Sequence, residues 1–373
     1  MAQSNHLIDL VHSRIDEFLE TRQPIVTSVS PDLVPLVEFS RQFLSGGKRF
    51  RALFCYWGWQ SVGTGGPAGS SPDSDHSGAS LVPVISAAAG LEIFHAAALV
   101  HDDIIDNSDT RRGSASAHKL FEGMHGQSGW AGSRVEFGRA AAILLGDLLL
   151  GWSDELLDEG LAAAPDASAA ARARIEFNRM RTEVTVGQYL DILEERAWLT
   201  QPETELFNRA LRVIVFKSAK YSVQAPLLIG AALAGADPEH LDALRAFGLP
   251  LGIAFQLRDD LLGVFGDASV TGKPSGDDLR EGKRTVLVAL ARENLTDTAR
   301  TDLDALLGDP LLTAAQIGIL QRTIIDSGAV ERIEALIESN VAEALAALEG
   351  SPISGAVTTH LMELAETVTR RTF

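Results

Sequence analysis

Cysteine is almost missing from this chain: Cys55 is the only one in 373 residues. A single thiol forms no intrachain disulfide and excludes a thiolate-rich metal centre, so a reducing compartment, the cytoplasm, is the expectation. Aromatic residues are scarce too, 6% of the chain against 46% hydrophobic residues in all. The core must therefore rest on Leu, Ala, Val and Ile, a balance that suits packed helices. Positive charge is in deficit, with 32 Lys and Arg against 50 Asp and Glu and a formal net charge of −18. Such a field opposes general affinity for nucleic acid or an anionic membrane surface. An anionic substrate has to meet a local basic cluster or a metal. Residues 1–23 hold no uninterrupted signal-peptide core, because Asp9, Arg14, Asp16, Glu17 and Glu20 break it. Nor does an apolar run reach the roughly 18 to 20 residues of a membrane span, since Glu92, His95 and Asp147 interrupt the best candidates. A soluble protein is expected.

What is present reads as helix almost throughout. Leu7, Leu10, Val11, Ile15, Phe18 and Leu19 recur at helical spacing near the start, and short alternating runs bounded by turn residues are hard to find, so strands should be absent or trivial. Two stretches read as loops between helices, 63–78 (Gly, Ser, Pro, Asp) and the Gly-rich 123–133. The Ala-rich 161–173 contains Pro165 and Asp166 and is left open between a helix start and a join. Asp237 followed by Pro238 marks a helix start, with the helix running to about Gly266, a kink expected at Pro250 and a polar loop over 267–282. Lys217 and Ser218 fall in a predicted helix over 206–222, and Asp326, Ser327 and Gly328 break the last helical stretch. About ten or more helices and no linker make one all-α domain spanning 1–373 the simplest organisation.

Three carboxylates, Asp102, Asp103 and Asp106, follow the apolar run 96–100. On a helix Asp102 and Asp106 share one face, a turn apart, where like charges repel unless a cation is shared or the end is well solvated. Oxygen-only ligands point to a hard ion such as magnesium. A second pair, Asp259 and Asp260, lies in an apolar segment with Gln256 one turn earlier. Carboxylates in such surroundings need partners, because burying an unpaired charge is costly. Two metal-bearing helices bridged through a diphosphate would meet both needs, the ions neutralising its charge and making it a leaving group.

Cations cluster in the same order along the chain. Gly46 and Gly47 lead into Lys48, Arg49 and Arg51; Arg111 and Arg112 follow the first aspartates; Lys217 and Ser218, with Lys220 nearby, come later; Lys273 and Lys283 flank the polar loop. Lys48 and Arg51, one turn apart, suit phosphate oxygens. Taken singly, each cluster also fits a surface cap, a salt-bridge network or a solvated lysine.

Read together, and with Gly187, Gln188, Tyr189, Leu190 and Asp191, the series from about 46 to 283 resembles the trans-type polyprenyl diphosphate synthases. The resemblance implies an isoprenoid synthase helical bundle with a deep central cavity, usually a homodimer, that condenses isopentenyl diphosphate with C5 to C15 allylic diphosphates. It implies magnesium, three ions per site with diphosphate bound, on Asp102, Asp106 and Asp259, with Asp103 and Asp260 supporting. Lys48, Arg51, His95 and Arg112 would bind isopentenyl diphosphate. Arg111, Lys217, Ser218, Gln256, Lys273 and Lys283 would hold the allylic diphosphate, with Lys217, Ser218, Gln256, Asp102 and Asp259 serving the chemistry. The implied reaction is ionisation, condensation and elimination, with released diphosphate as the base. Three departures are visible: Ser218 for the usual threonine, Ala52 for a common proline, and Gly263 where many relatives carry a third aspartate of the second motif.

Product length in this family follows from side chains just before the first aspartates. Ala97 and Ala98 stand five and four residues before Asp102, where large aromatics stop the product short, and Phe94 is the candidate floor. Geranylgeranyl diphosphate is the expected product, a farnesyl or longer chain the alternative; the alanines fit close helix packing equally. Three rivals remain. A class I terpene cyclase needs no second diphosphate site and has an Asn/Asp-Ser/Thr-Glu triad not found here. A di-iron bundle needs two ExxH pairs, and only Glu92 with His95 is present. A non-catalytic subunit of a heteromeric synthase tends to lose the aspartates.

Overall fold

The computed structural model describes residues 2–62, 80–267 and 275–370. The expected loop at 63–78 and Lys273 lie outside the described residues. The chain forms two compact units, Met1–Ile175 with Pro226–Asp237, and Glu176–Ala225 with Pro238–Phe373.

The first unit holds α1 (Ala2–Val29), α2 (Val34–Leu44), α3 (Phe50–Ser61), α4 (Val82–Ile105), α5 (Ala117–Ser128), α6 (Arg134–Ala162) and the start of α7 (Ala167–Ala197), and most of α9 (Ala225–Leu233) belongs to it. The apolar pattern of α1 is confirmed: Leu7, Val11, Ile15, Phe18 and Leu19 are all buried. Helix α4 packs chiefly on α6, and Ser153 Oγ of α6 donates to the Gly90 carbonyl of α4 at 2.7 Å. Among the described helices α4 alone is long and apolar enough to cross a membrane, and most of it is buried within the protein. Cys55 of α3 is buried too, and burial pushes its thiol up to about 12.

Two expectations change here. Residues Gly123 to Ser128 belong to α5, and only the stretch after them is a turn. Ala117, Phe121 and His125, four residues apart, are buried on one face, and that face outweighs the helix cost of the exposed Gly123 and Gly126. The open stretch 161–173 joins two helices, α6 ending at Ala162 and α7 starting at Ala167. Among the described residues strands reduce to one hairpin, β1 (Thr110–Arg111) with β2 (Ser114–Ala115), in the register Thr110↔Ala115 and Arg111↔Ser114. Its two-residue turn is Arg112–Gly113, both with positive φ, as a type I′ turn requires.

The second unit runs from the rest of α7 through α8 (Glu203–Val213), a π-helix over Ile214–Gln224, α10 (Pro238–Phe265), α11 (Asp277–Glu281), α12 (Val286–Asn294), α13 (Asp297–Leu306), α14 (Ala314–Asp326), α15 (Ala329–Leu348) and α16 (Gly355–Thr369). Trp198, Leu257, Leu261, Leu290 and Ile333 are among its fully buried core residues. The start and end expected for α10 hold to within a residue, with Pro250 inside the helix, and the break at 326–328 is the junction of α14 and α15. The single helix expected over 206–222 is corrected: α8 gives way to the π-helix at Ile214. So is the loop at 267–282, which contains α11, begun by Asp277 and Asp278 and closed by Arg280, charges that suit a helix dipole.

Candidate active site

The end of α4 concentrates negative charge where a helix already carries its negative pole. Asp102 and Asp103 sit in the last turn, Asp106 caps it with its N–H on the Asp102 carbonyl at 2.8 Å, and no basic residue lies in that turn. This is electrostatically unfavourable without a cation. The helix divides the three: Asp102 and Asp106 share a face, whereas Asp103 turns inward and its side chain is 1% exposed. Arg111 of β1 meets it there, Nε donating to Asp103 Oδ1 at 2.8 Å and Nη2 to the same oxygen, with Nη2 also 3.6 Å from Asp102 Oδ2. Asp103 therefore anchors the hairpin. Its partner Arg111, expected on a diphosphate, is held by carboxylates here.

The hairpin turn brings Arg112 back to the loop before α3. A Cβ on Gly47 would stand 3.2 Å from the Arg112 guanidinium, so the two are in contact. Gly46, Gly47 and Arg49 all have positive φ, and this left-handed stretch leaves Lys48 exposed while Arg49 is buried. Arg49 Nη1 donates to Glu92 Oε2 of α4 at 3.1 Å and Nη2 to the Leu44 carbonyl, and Glu92 Oε1 accepts the Ala52 N–H at 3.2 Å. One carboxylate thus ties the basic loop and the first turn of α3 to α4, one turn before His95. Loss of water pushes the His95 pKa well below the usual imidazole value, and the charges of Arg51, Arg112, Arg111 and Arg49 push the same way. Arg112 is lowered as well, by loss of water first, with Glu92 opposing. Arg49 and Arg111 are taken up by Glu92 and Asp103, while the guanidiniums of Arg51 and Arg112 near His95 are donors of the kind that can bind an anion. Phe94 and Ala97 are buried on α4 and Ala98 is partly buried.

In the second unit Asp260 is buried on α10, and Gln256 Nε2 donates to its Oδ1 at 2.8 Å. Oδ2 is buried and finds no hydrogen bond among the described residues. Burial pushes the Asp260 carboxyl up to about 8; the Gln256 hydrogen bond and Lys283 oppose the rise, while Asp278 and Asp259 add to it. Lys283 Nζ lies 2.7 Å from Glu281 Oε2 and 3.6 Å from Asp278 Oδ1. On the π-helix, Lys217 Nζ pairs with Asp191 of α7, and Lys220 Nζ with Glu183 at 2.8 Å. Gly187 makes that approach feasible, because a Cβ there would meet the Lys217 nitrogen at 2.5 Å. A π-turn that carries functional side chains is a recurrent device.

Both carboxylate sets offer only oxygen donors, and no three metal-binding side chains converge among the described residues. That suits magnesium, which is held by one or two carboxylates and fills its shell with phosphate oxygens and water.

The model of the polyprenyl synthetase family matches residues 35–317. The chain belongs to that family. It is 32% identical over 285 residues to the geranylfarnesyl diphosphate synthase of Aeropyrum pernix, covering 75% of this chain and 80% of that protein. To the geranylgeranyl diphosphate synthase of Mycobacterium tuberculosis it is 32% identical over 305 residues, 82% of this chain and 75% of the relative. The crystal structure of geranylgeranyl pyrophosphate synthase from Corynebacterium glutamicum, complexed with isoprenyl diphosphate and magnesium, superposes with a TM-score of 0.89 at 38% identity, over 98% of this chain and 99% of that one. The helical fold and the prenyltransferase activity of a polyprenyl synthetase follow for this chain.

Within that family frame, the roles of the aspartates, Lys48, Arg51, His95, Arg112, Lys217, Ser218, Gln256 and Lys283 stay expectations of the sequence, which did not foresee the tie of Arg49 to Glu92. Glu92 was visible one turn before His95, but its partners lie 43 and 40 residues away.

Proposed function

We propose that the protein joins isopentenyl diphosphate to an allylic diphosphate in a magnesium-dependent reaction whose main product is geranylgeranyl diphosphate. The observation that carries this is the pairing, within the first unit, of carboxylates at the negative end of α4 with the receptor of Arg51, Arg112 and neutral His95. A terpene cyclase has no use for that receptor.

Lys48, Arg51, Arg112 and His95 bind isopentenyl diphosphate. Asp102, Asp106 and Asp259 hold the magnesium, in three ions, with Asp103 and Asp260 in support. Bound magnesium neutralises the allylic diphosphate and makes it a leaving group. Lys217 and Lys283 add positive charge on the same diphosphate, and Arg111, Ser218 and Gln256 complete its binding. Lys217 can exchange Asp191 for a phosphate oxygen, since both are strong charge-assisted acceptors. The Gln256 amide oxygen and Ser218 hydroxyl face developing positive charge on the allyl group. Gln256 has a second duty, its amide N–H₂ holding Asp260.

Phe94, Ala97 and Ala98 set the length of the product. Small residues at 97 and 98 let the chain pass, and Phe94, one turn on, stops it at C20. The enzyme acts in the cytoplasm as a homodimer. The second copy covers the apolar residues exposed along α6, Val135, Ile143 and Leu144.

The test is direct: incubate the purified chain with magnesium, labelled isopentenyl diphosphate and C5, C10 or C15 allylic starters, then separate the products. A dominant C20 product is expected. No turnover with any starter overturns the assignment, and a C15 or C25 product overturns the length.

A further inference from the structure

Ser116, His118 and Asp109 come together at the foot of the β1–β2 hairpin, and none of the three is a group of the proposed site. Ser116 Oγ and His118 Nδ1 are 3.2 Å apart, and His118 Nε2 stands 3.6 Å from Asp109 Oδ1. Serine, histidine and aspartate in a row are the groups of a hydrolase triad. Here the serine is fully buried and the histidine nearly so, and a hydroxyl that no substrate reaches is no nucleophile. The row has a different use.

Two strands of two residues do not hold themselves in place, so the ends of the hairpin set its position. Asp109 and Ser116 are those ends, the pair next below Thr110 and Ala115, with the Ser116 N–H on the Asp109 carbonyl at 3.0 Å. Ser116 is also the N-cap residue of α5, a place where serine ordinarily binds a helix N–H. Its hydroxyl caps none and meets the His118 ring instead. His118 lies in the first turn of α5, and α6 packs directly on its backbone: a Cβ on Gly138 would stand 2.4 Å from the His118 carbonyl oxygen. Only one tautomer of the ring suits both neighbours. With the proton on Nε2 the ring offers a donor to the Asp109 carboxylate and accepts the Ser116 O–H at Nδ1, whereas a proton on Nδ1 would turn a lone pair toward the carboxylate. Burial lowers the His118 pKa, Asp109 opposes the fall, and Lys119 and Arg139 add to it, which keeps the ring neutral. Lys119 Nζ is 3.9 Å from the same Asp109 oxygen but 2.7 Å from Glu122 Oε2, so the ring is the closer of the two partners of Asp109.

Arg112 depends on this foot more than Arg111 does. Arg111 has an anchor of its own on Asp103, whereas Arg112 occupies the turn at the far end of the hairpin, against Gly47 and close enough to His95 to act on its charge. A tilt at the foot is largest at that end. We infer that His118 is a positioning residue for isopentenyl diphosphate: by bridging Ser116 and Asp109 it locks the foot of the hairpin to α5 and so holds the Arg112 guanidinium in place beside His95. This rests on the proposed function for the part Arg112 plays.

The experiment joins hydrogen exchange to binding and kinetics. Amide exchange over residues 109–116 is followed by mass spectrometry in the full-length protein for wild type, His118→Phe, which keeps a ring and loses both polar contacts, and Asp109→Ala. Affinity for isopentenyl diphosphate is measured by calorimetry, and kcat and the KM of the allylic diphosphate by steady-state assay. His118→Phe should exchange roughly ten-fold faster over 109–116 and bind isopentenyl diphosphate roughly ten-fold more weakly, with a smaller change in the allylic KM. Wild-type exchange over 109–116 in His118→Phe overturns the inference. So does faster exchange with wild-type affinity, and so does a fall in kcat alone, the mark of a smaller folded fraction. The Asp109 side chain is 68% exposed, so Asp109→Ala, read in the same way, decides if the phenylalanine form does not melt cooperatively. A wild type that binds isopentenyl diphosphate without prenyl turnover refutes the proposed function, while exchange and calorimetry still decide the role of His118. A wild type that does not bind it overturns the inference.

Discussion

At Glu92 a single carboxylate ties Arg49 and the first turn of α3 to α4. Arg49 and Glu92 have side chains 5% exposed each, and removing one partner of so buried a pair leaves an uncompensated charge. Glu92→Ala should cost about 3–5 kcal/mol in urea unfolding, and it should raise KM for isopentenyl diphosphate more than it lowers kcat, because the loop with Lys48 and the first turn of α3 with Arg51 lose their tether. An unchanged KM in a folded variant would show that the tether does not position the loop. His95 gives a second residue-level prediction, in pH. Its folded pKa is held well below 6.5, so between that value and 6.5 the unfolded chain binds the extra proton and stability rises with pH. Melting temperature should fall as pH is lowered through 6.5, and more shallowly in His95→Gln. His95 was named in the sequence through the family resemblance, as an expected ligand of isopentenyl diphosphate. Glu92 was legible only as half of an ExxH metal pair, because spacing along one helix reveals a neighbour at three residues and conceals a partner 43 residues away.

Elements were legible where the apolar pattern was regular and failed where a local rule was overridden. The bounds of α10 came from its Asp-Pro start and its polar end, both local signals. Helix α5 was hidden by glycines that cost little on an exposed face, and the π-helix was hidden because one extra residue per turn leaves an apolar pattern that still reads as helical. The π-helix matters for the site, because it presents Lys217 to Asp191 across the contact at Gly187. Gly187→Ala places a methyl 2.5 Å from the Lys217 nitrogen and 2.6 Å from the Phe216 carbonyl carbon, backbone atoms that cannot rotate aside. The helices must separate, at a cost of about 1–3 kcal/mol. An ångström of displacement at Lys217 should lower kcat/KM for the allylic diphosphate by roughly 10²-fold. Thermal melting and steady-state kinetics check the two parts, and a drop in stability with unchanged kinetics would detach Lys217 from the reaction.

For the whole molecule, composition had already narrowed the class. A chain of net charge −18 with one buried thiol needs metal or clustered cations to handle diphosphates, and the first unit carries clustered guanidiniums beside carboxylates that suit a hard cation. What composition did not reveal was the division into two compact units, since each takes its residues from two separate stretches of chain. Nor do counts of apolar residues distinguish those inside from those outside. Ile143 and Leu144 are 46% and 65% exposed in the middle of α6, and Val135 is 46% exposed two turns earlier. Single exposed apolar side chains are ordinary, and Ile143 with Leu144 is the adjacent exposed pair that the proposed second copy would cover. If a second copy covers that pair, the wild type should elute in light-scattering chromatography at twice the 39.9 kDa chain mass. Ile143→Asp with Leu144→Asp would then bury charge without partners. That variant should shift to a single chain mass at micromolar concentration with its helical circular dichroism intact. A wild type already at 39.9 kDa would remove the dimer, and a variant still at twice that mass would move the interface off α6.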